Sequence, residues 1–457
     1  MDLKSDSSIM NEVNTNSKPS DLKITDIRFA DIAGAPFECS LIKIYTNQDI
    51  VGYGEVRDFG SKVYAQILKS RILHENPCNV ERIFKRIKQF GGPARQGGGV
   101  SGIELALWDL AGKAYGVPVY QLLGGKYRDK IRVYCDTDVY GKNTGKEMGK
   151  ALKKRMEKGF QYLKMDVGID ILLDEDGTLN GPKDILDEMR KHPDMPKFNR
   201  EGTDRDSRLL QKHIYNLYNI AHPFTGIQIT EKGLDFLENY VAEVRDIVGY
   251  DIPIAVDHFG HIGVDNCIRL LKRIEKYNIA WAEDMVPWFY TDQYVRLNNS
   301  STIPVCTGED IYLKENFKPL IEQGGVSVIH PDILTAGGIL ETKRIGDMAE
   351  EFGVAMAIHN AESPIAFLAA VHTAAATENF IALEHHSADI NWWDDLVDGP
   401  DKPIVNGGYA KVPDGPGLGI DSLNDEVISK HINPRVPGLW ETTDNWDHEW
   451  SHDRTWS

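Results

Sequence analysis

The sequence of 457 residues predicts an α/β protein whose largest part is a barrel of parallel strands alternating with helices. Apolar runs of strand length alternate with helical stretches from residue 131 to beyond 380. Eight such runs with helical connections favour a closed barrel over an open sheet. The predicted strands are 131–139, 160–167, 252–258, 279–284, 303–308, 326–331, 354–359 and 380–384.

Three successive predicted strands end in a carboxylate. Asp257, Glu283 and Glu309 follow their apolar runs at equal spacing, one strand and one helix apart. A single such residue is commonly the N-cap of the next helix, but three in register disfavour that interpretation. The carboxyl ends of parallel barrel strands meet on one face, where barrel enzymes keep their active sites. Three hard oxygen ligands there predict a Mg²⁺ site with positions left for water and substrate.

The residues before the barrel predict a second domain. Residues 21 to about 60 alternate like antiparallel strands, and residues 63–90 and 99–116 have helical spacing. We therefore predict an α+β domain over 21–130 and a barrel domain over 131–395. A glycine-rich stretch at 89–99 lacks both the GxxxxGK[ST] pattern and a preceding strand, so nucleotide binding there is disfavoured.

One interval inside the barrel is far too long for its place. A strand-helix-strand unit needs about 30 residues, whereas Lys164 and Asp257 are separated by roughly three times that length. The excess, about 168–226, is rich in Asp, Lys, Pro and Asn. Because it follows the carboxyl end of a strand, we expect it on the active-site face as a lid, a specificity loop or an oligomer contact.

The two ends of the chain differ from the rest. Residues 1–20 are polar without an apolar core, which predicts a flexible leader and no export signal. Residues 396–457 form a loop-rich C-terminal segment whose tail carries four tryptophans among acidic residues. Aromatic residues at a terminus commonly attach it to its own protein or to a sister subunit.

Composition excludes several classes of partner. A net charge of −18 argues against nucleic acid or an anionic membrane surface, and no apolar run reaches membrane-spanning length. An anionic substrate would need its charge met locally, by a metal and a few cations. The five cysteines are scattered, without CxxC spacing, which predicts reduced thiols in a cytoplasmic protein.

Several further stretches resemble the enolase superfamily and, within it, the mandelate racemase group. The resemblance covers roughly residues 21–425. It implies a (β/α)7β barrel, a modified TIM barrel, with an α+β capping domain formed by the N-terminal part and the C-terminal segment, and a homo-oligomer is expected. The stretches that carry it are GIELALWDLAGKAYGVPVYQLLGG at 102–125, KMD at 164–166, HPDILTAGGI at 330–339, AIHN at 357–360 and ALE at 382–384.

The resemblance implies a shared chemistry, abstraction of a proton α to a carboxylate through an enediolate. Mg²⁺ on the three strand-end carboxylates would bind the substrate carboxylate, with Lys164 beside it as a further electrophile. His359 would be the base, with Asp332 accepting a hydrogen bond from its imidazole. Glu384, if protonated, could donate to the developing enediolate.

Two departures from the family pattern bear on the reaction. Asp166 stands where a second lysine can act as a base on the other substrate face, and Phe259 stands where some dehydratases carry a histidine. His258 and His261 flank that phenylalanine, and strand alternation points His258 away from the barrel axis. We expect substrate contacts from a small set of polar residues, namely Arg57, Arg95, Asp166 and His261.

The sequence therefore shows one strong base. A racemase needs a base on each face, whereas a syn-dehydratase can use one histidine twice, so we predict dehydration of an aldonate-type sugar acid to its 2-keto-3-deoxy product. Cycloisomerisation of an anhydro-sugar acid or lactone is the second hypothesis, and racemisation or epimerisation is the third. A non-catalytic sugar-acid-binding protein on the same fold is a further alternative.

Overall fold

The computed structural model describes residues 17–137, 142–172, 175–183, 186–187, 226–257, 262–436 and 438–449. The strands are β1 Ile24–Ile32, β2 Cys39–Thr46, β3 Val51–Val56, β4 Lys130–Cys135, β5 Leu163–Asp166, β6 Leu179–Asn180, β7 Gln228–Ile229, β8 Ile254–Asp257, β9 Ile279–Glu283, β10 Val305–Thr307, β11 Val328–Ile329, β12 Ala355–Ile358, β13 Phe380–His385, β14 Val397–Asp398, β15 Val405–Asn406, β16 Tyr409–Lys411 and β17 Ser422–Leu423.

The α-helices of the described residues lie mostly between these strands. Glu231–Val248 and Val264–Ile274 are amphipathic, with one face buried, whereas Pro364–Ala375 is buried along its whole length. The helices are α1 Val63–Gln66, α2 Lys69–Ile72, α3 Val80–Ile87, α4 Gly98–Tyr115, α5 Val119–Leu122, α6 Gly145–Glu157, α7 Glu231–Val248, α8 Val264–Ile274, α9 Thr291–Asn298, α10 Lys314–Glu322, α11 Ile333–Ala336, α12 Ile339–Glu350, α13 Pro364–Ala375 and α14 Asp425–Lys430.

Eight parallel strands form a closed barrel. Its order is β4, β5, β8, β9, β10, β11, β12 and β13, and β13 pairs back onto β4 with Glu384 opposite Tyr134. This confirms the predicted α/β fold, an eight-stranded barrel with an antiparallel N-terminal capping domain. Each predicted barrel strand overlaps an observed one. Most of the observed strands are shorter than predicted, because ladder pairing ends where the chain turns into the connecting loops.

Side chains fill the barrel interior rather than leaving a pore. One interior layer contains Tyr134, Tyr162 and Trp281, whose rings lie 5.0–5.8 Å apart, and smaller residues complete it. Strand side chains alternate between the interior and the surrounding helices. The residue two positions after each interior residue therefore also points inward, but one layer nearer the carboxyl ends of the strands.

The capping domain is a three-stranded antiparallel sheet, β1–β2–β3, with α4 packed across it. It is joined to the barrel by a buried carboxylate. Glu55 on β3 accepts hydrogen bonds from the N–H groups of Ser363 (3.0 Å) and Ala366 (3.4 Å) at the start of α13. These N–H groups have no partner within the helix, so the contact caps α13 and holds the two parts together.

Glycines allow β3 and α4 to approach closely. A Cβ on Gly102 would lie 2.1 Å from the carbonyl oxygen of Glu55. We predict that Gly102→Ala destabilises the protein by about 1–3 kcal/mol, the usual result of overpacking, despite the better helix propensity of alanine. Thermal unfolding measures this as a lower midpoint. Gly415→Ala is the control, because its nearest neighbour lies at an ordinary 3.4 Å; equal midpoints for the two variants would contradict the prediction.

The C-terminal segment returns to the capping domain. Ile432 and Leu439 form bridges to Ile32 and Ala30 on β1. The N–H of Trp440 donates to the carbonyl of Phe29 (2.8 Å), and the Lys43 ammonium lies 4.0 Å from the Trp440 ring centroid. The described part of the tryptophan-rich tail is thus attached to its own chain. Trp450 and Trp456 lie outside the described residues, as does most of the predicted leader, residues 1–16.

The long interval after β5 is described only at its two ends. β6 and β7 pair antiparallel, with Leu179 opposite Ile229, so the ends of the interval lie side by side. Residues 188–225 lie outside the described residues, and the expectation that the segment is a lid, a specificity loop or an oligomer contact stays a prediction. The placement of His258, Phe259 and His261 is also outside them.

All five cysteines are free, and four are buried. Only Cys78 is partly exposed. Within the described ranges, no helix combines the length and apolar character needed to cross a membrane.

A buried histidine on α13 predicts a pH dependence of stability. Nδ1 of His372 accepts a hydrogen bond from the N–H of Tyr120 (3.3 Å), and burial lowers the pKa of His372 from 6.5 to about 4. Between these values the unfolded chain binds a proton that the folded protein excludes, so stability falls as pH decreases from 6.5 toward 4. By pH 5 this histidine should remove on the order of 2 kcal/mol.

His372→Asn preserves an acceptor near the Tyr120 N–H but cannot be protonated. We therefore expect the variant to lose less unfolding free energy than the wild type between pH 7 and pH 5, measured by urea denaturation at both values. An identical pH dependence in the two proteins would rule out this role.

Candidate active site

Inward-facing register brings the predicted carboxylates to one end of the barrel. Asp257 and Glu283 lie two residues after Ala255 and Trp281, which point into the barrel interior. Glu309 also lies at this end, but it does not follow an interior residue at the same two-residue spacing. The chain turns at Gly308 (φ 152°), where a Cβ would lie 2.9 Å from the backbone of His330. All three side chains thus lie at the carboxyl ends of β8, β9 and β10.

Lys164 lies among these carboxylates. Its Nζ is 2.7 Å from Asp257 Oδ2, 3.0 Å from Glu283 Oε1 and 2.8 Å from Glu384 Oε1. Burial by itself would lower the pKa of Lys164, but these three carboxylates hold it well above its usual value. These contacts favour the charged form of Lys164.

A fourth carboxylate, Asp284, joins the cluster. Asp284 follows Glu283 in a left-handed conformation (φ 46°), and Thr307 Oγ1 donates a hydrogen bond to it (2.5 Å). Oxygens of Glu283, Asp284 and Glu309 lie within 4.8 Å of one another. Burial, followed by repulsion from Glu309, Glu283 and Asp257, raises the pKa of Asp284 well above its usual value.

This donor set fits a divalent cation. It consists of hard carboxylate oxygens held close together at low solvent exposure, the type of ligand that Mg²⁺ prefers. Lys164 supplies a positive charge to Asp257 and Glu283, and burial together with repulsion from the neighbouring carboxylates raises the pKa of Asp284. Asp257, Glu283 and Glu309 could therefore hold the metal, as the sequence predicts.

His359 and Asp332 form a buried pair beside the cluster. His359 Nδ1 lies 2.7 Å from Asp332 Oδ2, and its Nε2 lies 3.0 Å from Glu309 Oε2. Although burial disfavours a charged imidazole, Glu309, Glu384 and Asp332 raise the pKa of His359 well above its usual value. The ring is held from both sides, and Nε2 faces the predicted metal ligands.

Asp332 is itself rigidly held. It caps α11 by accepting hydrogen bonds from the N–H groups of Leu334 (2.7 Å) and Thr335 (2.9 Å). Although burial opposes its ionisation, the Arg57 guanidinium 3.4 Å away and the hydrogen bond with His359 hold the pKa of Asp332 well below its usual range. Asp332 is therefore a carboxylate that can orient the imidazole.

Glu384 connects the groups on opposite sides of the site. Its Oε1 contacts Lys164 and, at 3.3 Å, His386 Nε2; its Oε2 lies 3.5 Å from His330 Nε2 and 3.8 Å from His359 Nε2. Burial would raise the pKa of Glu384, but Lys164, His359 and His386 hold it well below its usual value. This environment favours the ionised form of Glu384.

The residues expected to bind substrate take different positions. Arg57 has no exposed surface, and its guanidinium is directed at Asp58 and Asp332 and at the carbonyl of Glu309 (2.6 Å). The side chain is thus held by groups of its own chain, and the expected substrate contact stays a prediction. Carboxylates hold the guanidinium inside the protein. A short sequence pattern does not indicate such a contact, because Asp332 is distant from Arg57 along the chain.

Arg95 and Asp166 lie nearer the rim. Arg95 has 38% of its side chain exposed and pairs with Asp58 (3.1 Å) and Asp310 (3.2 Å). Asp166 ends β5 directly opposite Asp257 on β8. Both remain candidates for substrate binding, and His261 lies outside the described residues.

Sequence reasoning missed three groups that the fold brings to the site. His330 follows β11 directly, with Nδ1 2.8 Å from Glu283 Oε1 and Nε2 2.5 Å from the Tyr134 hydroxyl. His386 and Asp136 follow β13 and β4. The sequence features that could have indicated them are the histidines in HPD at 330–332 and in EHHS at 384–387. Neither pattern by itself shows whether a histidine ring faces the barrel axis.

The capping domain reaches over this end of the barrel. Phe37, from the loop between β1 and β2, has its ring 6.2 Å from that of His386 and 5.4 Å from that of Phe59. Phe59 follows β3 and is 47% exposed. The site is therefore bounded by the polar barrel mouth on one side and by aromatic capping residues on the other.

A capped barrel with acidic, cationic and imidazole groups at its carboxyl end defines the class of this protein. Residues 216–426 match the family model described as "Enolase C-terminal domain-like", and residues 10–124 match the N-terminal domain of mandelate racemase / muconate lactonizing enzyme. The chain belongs to the mandelate racemase/muconate lactonizing enzyme family of the enolase superfamily, as the resemblance predicts.

Named relatives align over most of their length. A D-xylonate dehydratase of Haloferax volcanii is 30% identical over 420 residues, covering 90% of this chain and 89% of the relative. A D-galactonate dehydratase of Pectobacterium atrosepticum is 28% identical over 425 residues, covering 90% and 96%. A mandelate racemase/muconate lactonizing enzyme-like protein from Rubrobacter xylanophilus superposes with a TM-score of 0.75 at 28% identity, covering 91% of this chain and 99% of that structure.

Proposed function

We propose that this protein is a Mg²⁺-dependent sugar-acid dehydratase, a hydro-lyase that converts an aldonate-type substrate into a 2-keto-3-deoxy acid. The observation that carries the proposal is the imidazole of His359, held 2.7 Å from Asp332 and directed at the carboxylate cluster. Such a base beside a site for a substrate carboxylate suits removal of a proton from the neighbouring carbon. Relatives named D-xylonate and D-galactonate dehydratases support the same reaction class.

Charge stabilisation is the first task of the site. Asp257, Glu283 and Glu309 would hold Mg²⁺, which when bound supplies a Lewis acid for the substrate carboxylate as negative charge develops on it. Lys164 adds a fixed positive charge at the same place. Because these groups are buried and already oriented, little reorganisation is needed as charge develops.

Proton transfer is the second task. Asp332 accepts a hydrogen bond from Nδ1–H of His359, which leaves Nε2 as the basic nitrogen toward Cα of the substrate. Taking the α-proton gives an enediolate, and expulsion of the β-hydroxyl as water gives the enol of the 2-keto-3-deoxy acid. Epimerisation is a second candidate, because the ring of a second histidine, His386, lies 6.0 Å from that of His359.

The test is incubation of the full-length protein with a library of sugar acids and Mg²⁺ in D₂O, with an EDTA-treated sample as control. A product that reacts with semicarbazide and depends on Mg²⁺ is expected. Deuterium uptake with inversion and no keto acid would indicate an epimerase. Ring opening without net loss of water would indicate a cycloisomerase, and the absence of any change would favour a binding protein.

A further inference from the structure

We propose that His386, positioned by Asp136, is a second acid/base group of this site and protonates the departing β-hydroxyl. This inference rests on the proposed dehydration and divides its two proton transfers between two histidines. His386 follows β13 directly, and Asp136 follows β4 directly. These two strands close the barrel, with Glu384 opposite Tyr134 and His385 opposite Cys135, so the residues after them are brought together.

The contacts of His386 resemble those of His359. His386 Nδ1 lies 3.5 Å from Asp136 Oδ2, and its Nε2 lies 3.3 Å from Glu384 Oε1. A nitrogen of each histidine and an oxygen of Glu384 lie within 4.8 Å of one another. Two imidazoles, each with its own aspartate, therefore flank one carboxylate at the barrel mouth.

The neighbouring histidine faces the other way. The His385 ring packs against the rings of Phe367 (5.4 Å) and Trp393 (4.9 Å), and burial lowers the pKa of His385 to about 3. His386 retains 15% exposure of its side chain, beneath Phe37 of the capping domain. Strand alternation thus assigns His385 to the hydrophobic core and His386 to the site.

The chemistry of dehydration needs an acid, because hydroxide is a poor leaving group. His359 is enclosed between Asp332 at 2.7 Å and Glu309 at 3.0 Å, which places its Nε2 beside a proposed metal ligand. An acid must lie about 3 Å from the oxygen that it protonates. The 6.0 Å between the two ring centroids leaves room for a base at Cα and an acid at the β-oxygen.

The proposed elimination uses one proton transfer at each histidine. His359 takes the proton from Cα, and the electron pair of that C–H bond enters the enediolate. The enediolate then forms the Cα–Cβ double bond as the Cβ–O bond breaks, and the oxygen takes a proton from the His386 imidazolium to leave as water. The enol tautomerises to the 2-keto acid, and both histidines re-equilibrate with solvent protons. Asp136 and Glu384 lie beside the ring that donates this proton.

The deciding experiment measures how the His386→Asn variant eliminates two different leaving groups. The substrate is the sugar acid that the wild type dehydrates, together with its 3-deoxy-3-fluoro analogue, from which fluoride can depart without an acid. We expect dehydration to fall by about 10²–10⁴-fold, the usual contribution of general acid catalysis. Exchange of the α-proton in D₂O and release of fluoride should stay near the wild-type rates.

Two further variants complete the test. Asp136→Asn should show the same selective loss of dehydration to a smaller degree, because the ring remains but is less well oriented. His372→Asn, which changes a buried histidine outside the site, should leave all three rates unchanged.

Two results would overturn the inference while leaving the proposed function in place. The first is near wild-type dehydration by His386→Asn, and the second is an equal loss of fluoride release and of water elimination. A wild type without dehydration of any sugar acid would instead overturn the proposed function, and this inference with it.

Discussion

Replacing His359 by asparagine is expected to abolish dehydration and exchange of the α-proton together. Asparagine keeps similar size and one hydrogen bond toward Asp332, but it cannot carry a proton between pH 5 and 8. Loss of general base catalysis commonly lowers the rate by about 10²–10⁴-fold, and loss of the first proton transfer should place the effect at the upper end. Single-turnover assays and ¹H NMR in D₂O measure the two rates.

Asp332→Asn is the companion variant for this prediction. The imidazole remains but loses its orienting carboxylate, so we expect a smaller loss of both rates. If His359→Asn still exchanged the α-proton near the wild-type rate, the base would lie elsewhere, and His386 would be the first residue to test. Lys164 is a poorer substitute, because three carboxylates keep it protonated.

Glu283→Gln is expected to weaken Mg²⁺ binding and to reduce activity strongly. The substitution keeps the shape of the side chain and an oxygen that can accept from Trp281 Nε1 (2.8 Å), but it removes one charge from the proposed ligand set. Isothermal titration of the metal-free protein with Mg²⁺ measures affinity independently of turnover, and assays at increasing Mg²⁺ measure recovery.

Glu341→Gln is the matched control for the metal prediction, since Glu341 is buried on α12 and accepts from the N–H of Lys314 (3.1 Å) away from the cluster. It should bind Mg²⁺ like the wild type. Unchanged Mg²⁺ affinity in Glu283→Gln, or a crystal soaked in Mg²⁺ with the ion elsewhere, would show that the assigned ligands are wrong.

Periodicity and spacing predicted a large part of this molecule. The eight barrel strands, the antiparallel sheet before them and the family were all predicted, and the structure and the comparisons confirm them. The side chains of Asp257, Glu283 and His359 also converge at one end of the barrel, although their chemical roles stay predictions. This success follows from local rules, because a strand alternates with a period of two and parallel strands share one carboxyl end.

Contacts between distant parts of the chain could not be predicted from these local rules. The buried contact of Arg57 with Asp332, which is far from it in sequence, is one example. His386 and Asp136 were missed because each is one polar residue after a strand, and only closure of the barrel places them together.

The sequence by itself determined the alternation of strands and helices, the inward-facing register and the carboxylates that end three strands. These properties depend on neighbours within a few residues, so they can be read along the chain. Only the tertiary structure decided the charge state and the partners of each group. Lys164, Glu384 and His359 owe their shifted pKa values to groups on other strands, since electrostatic interactions in a buried site depend on distance in space and not on distance along the chain.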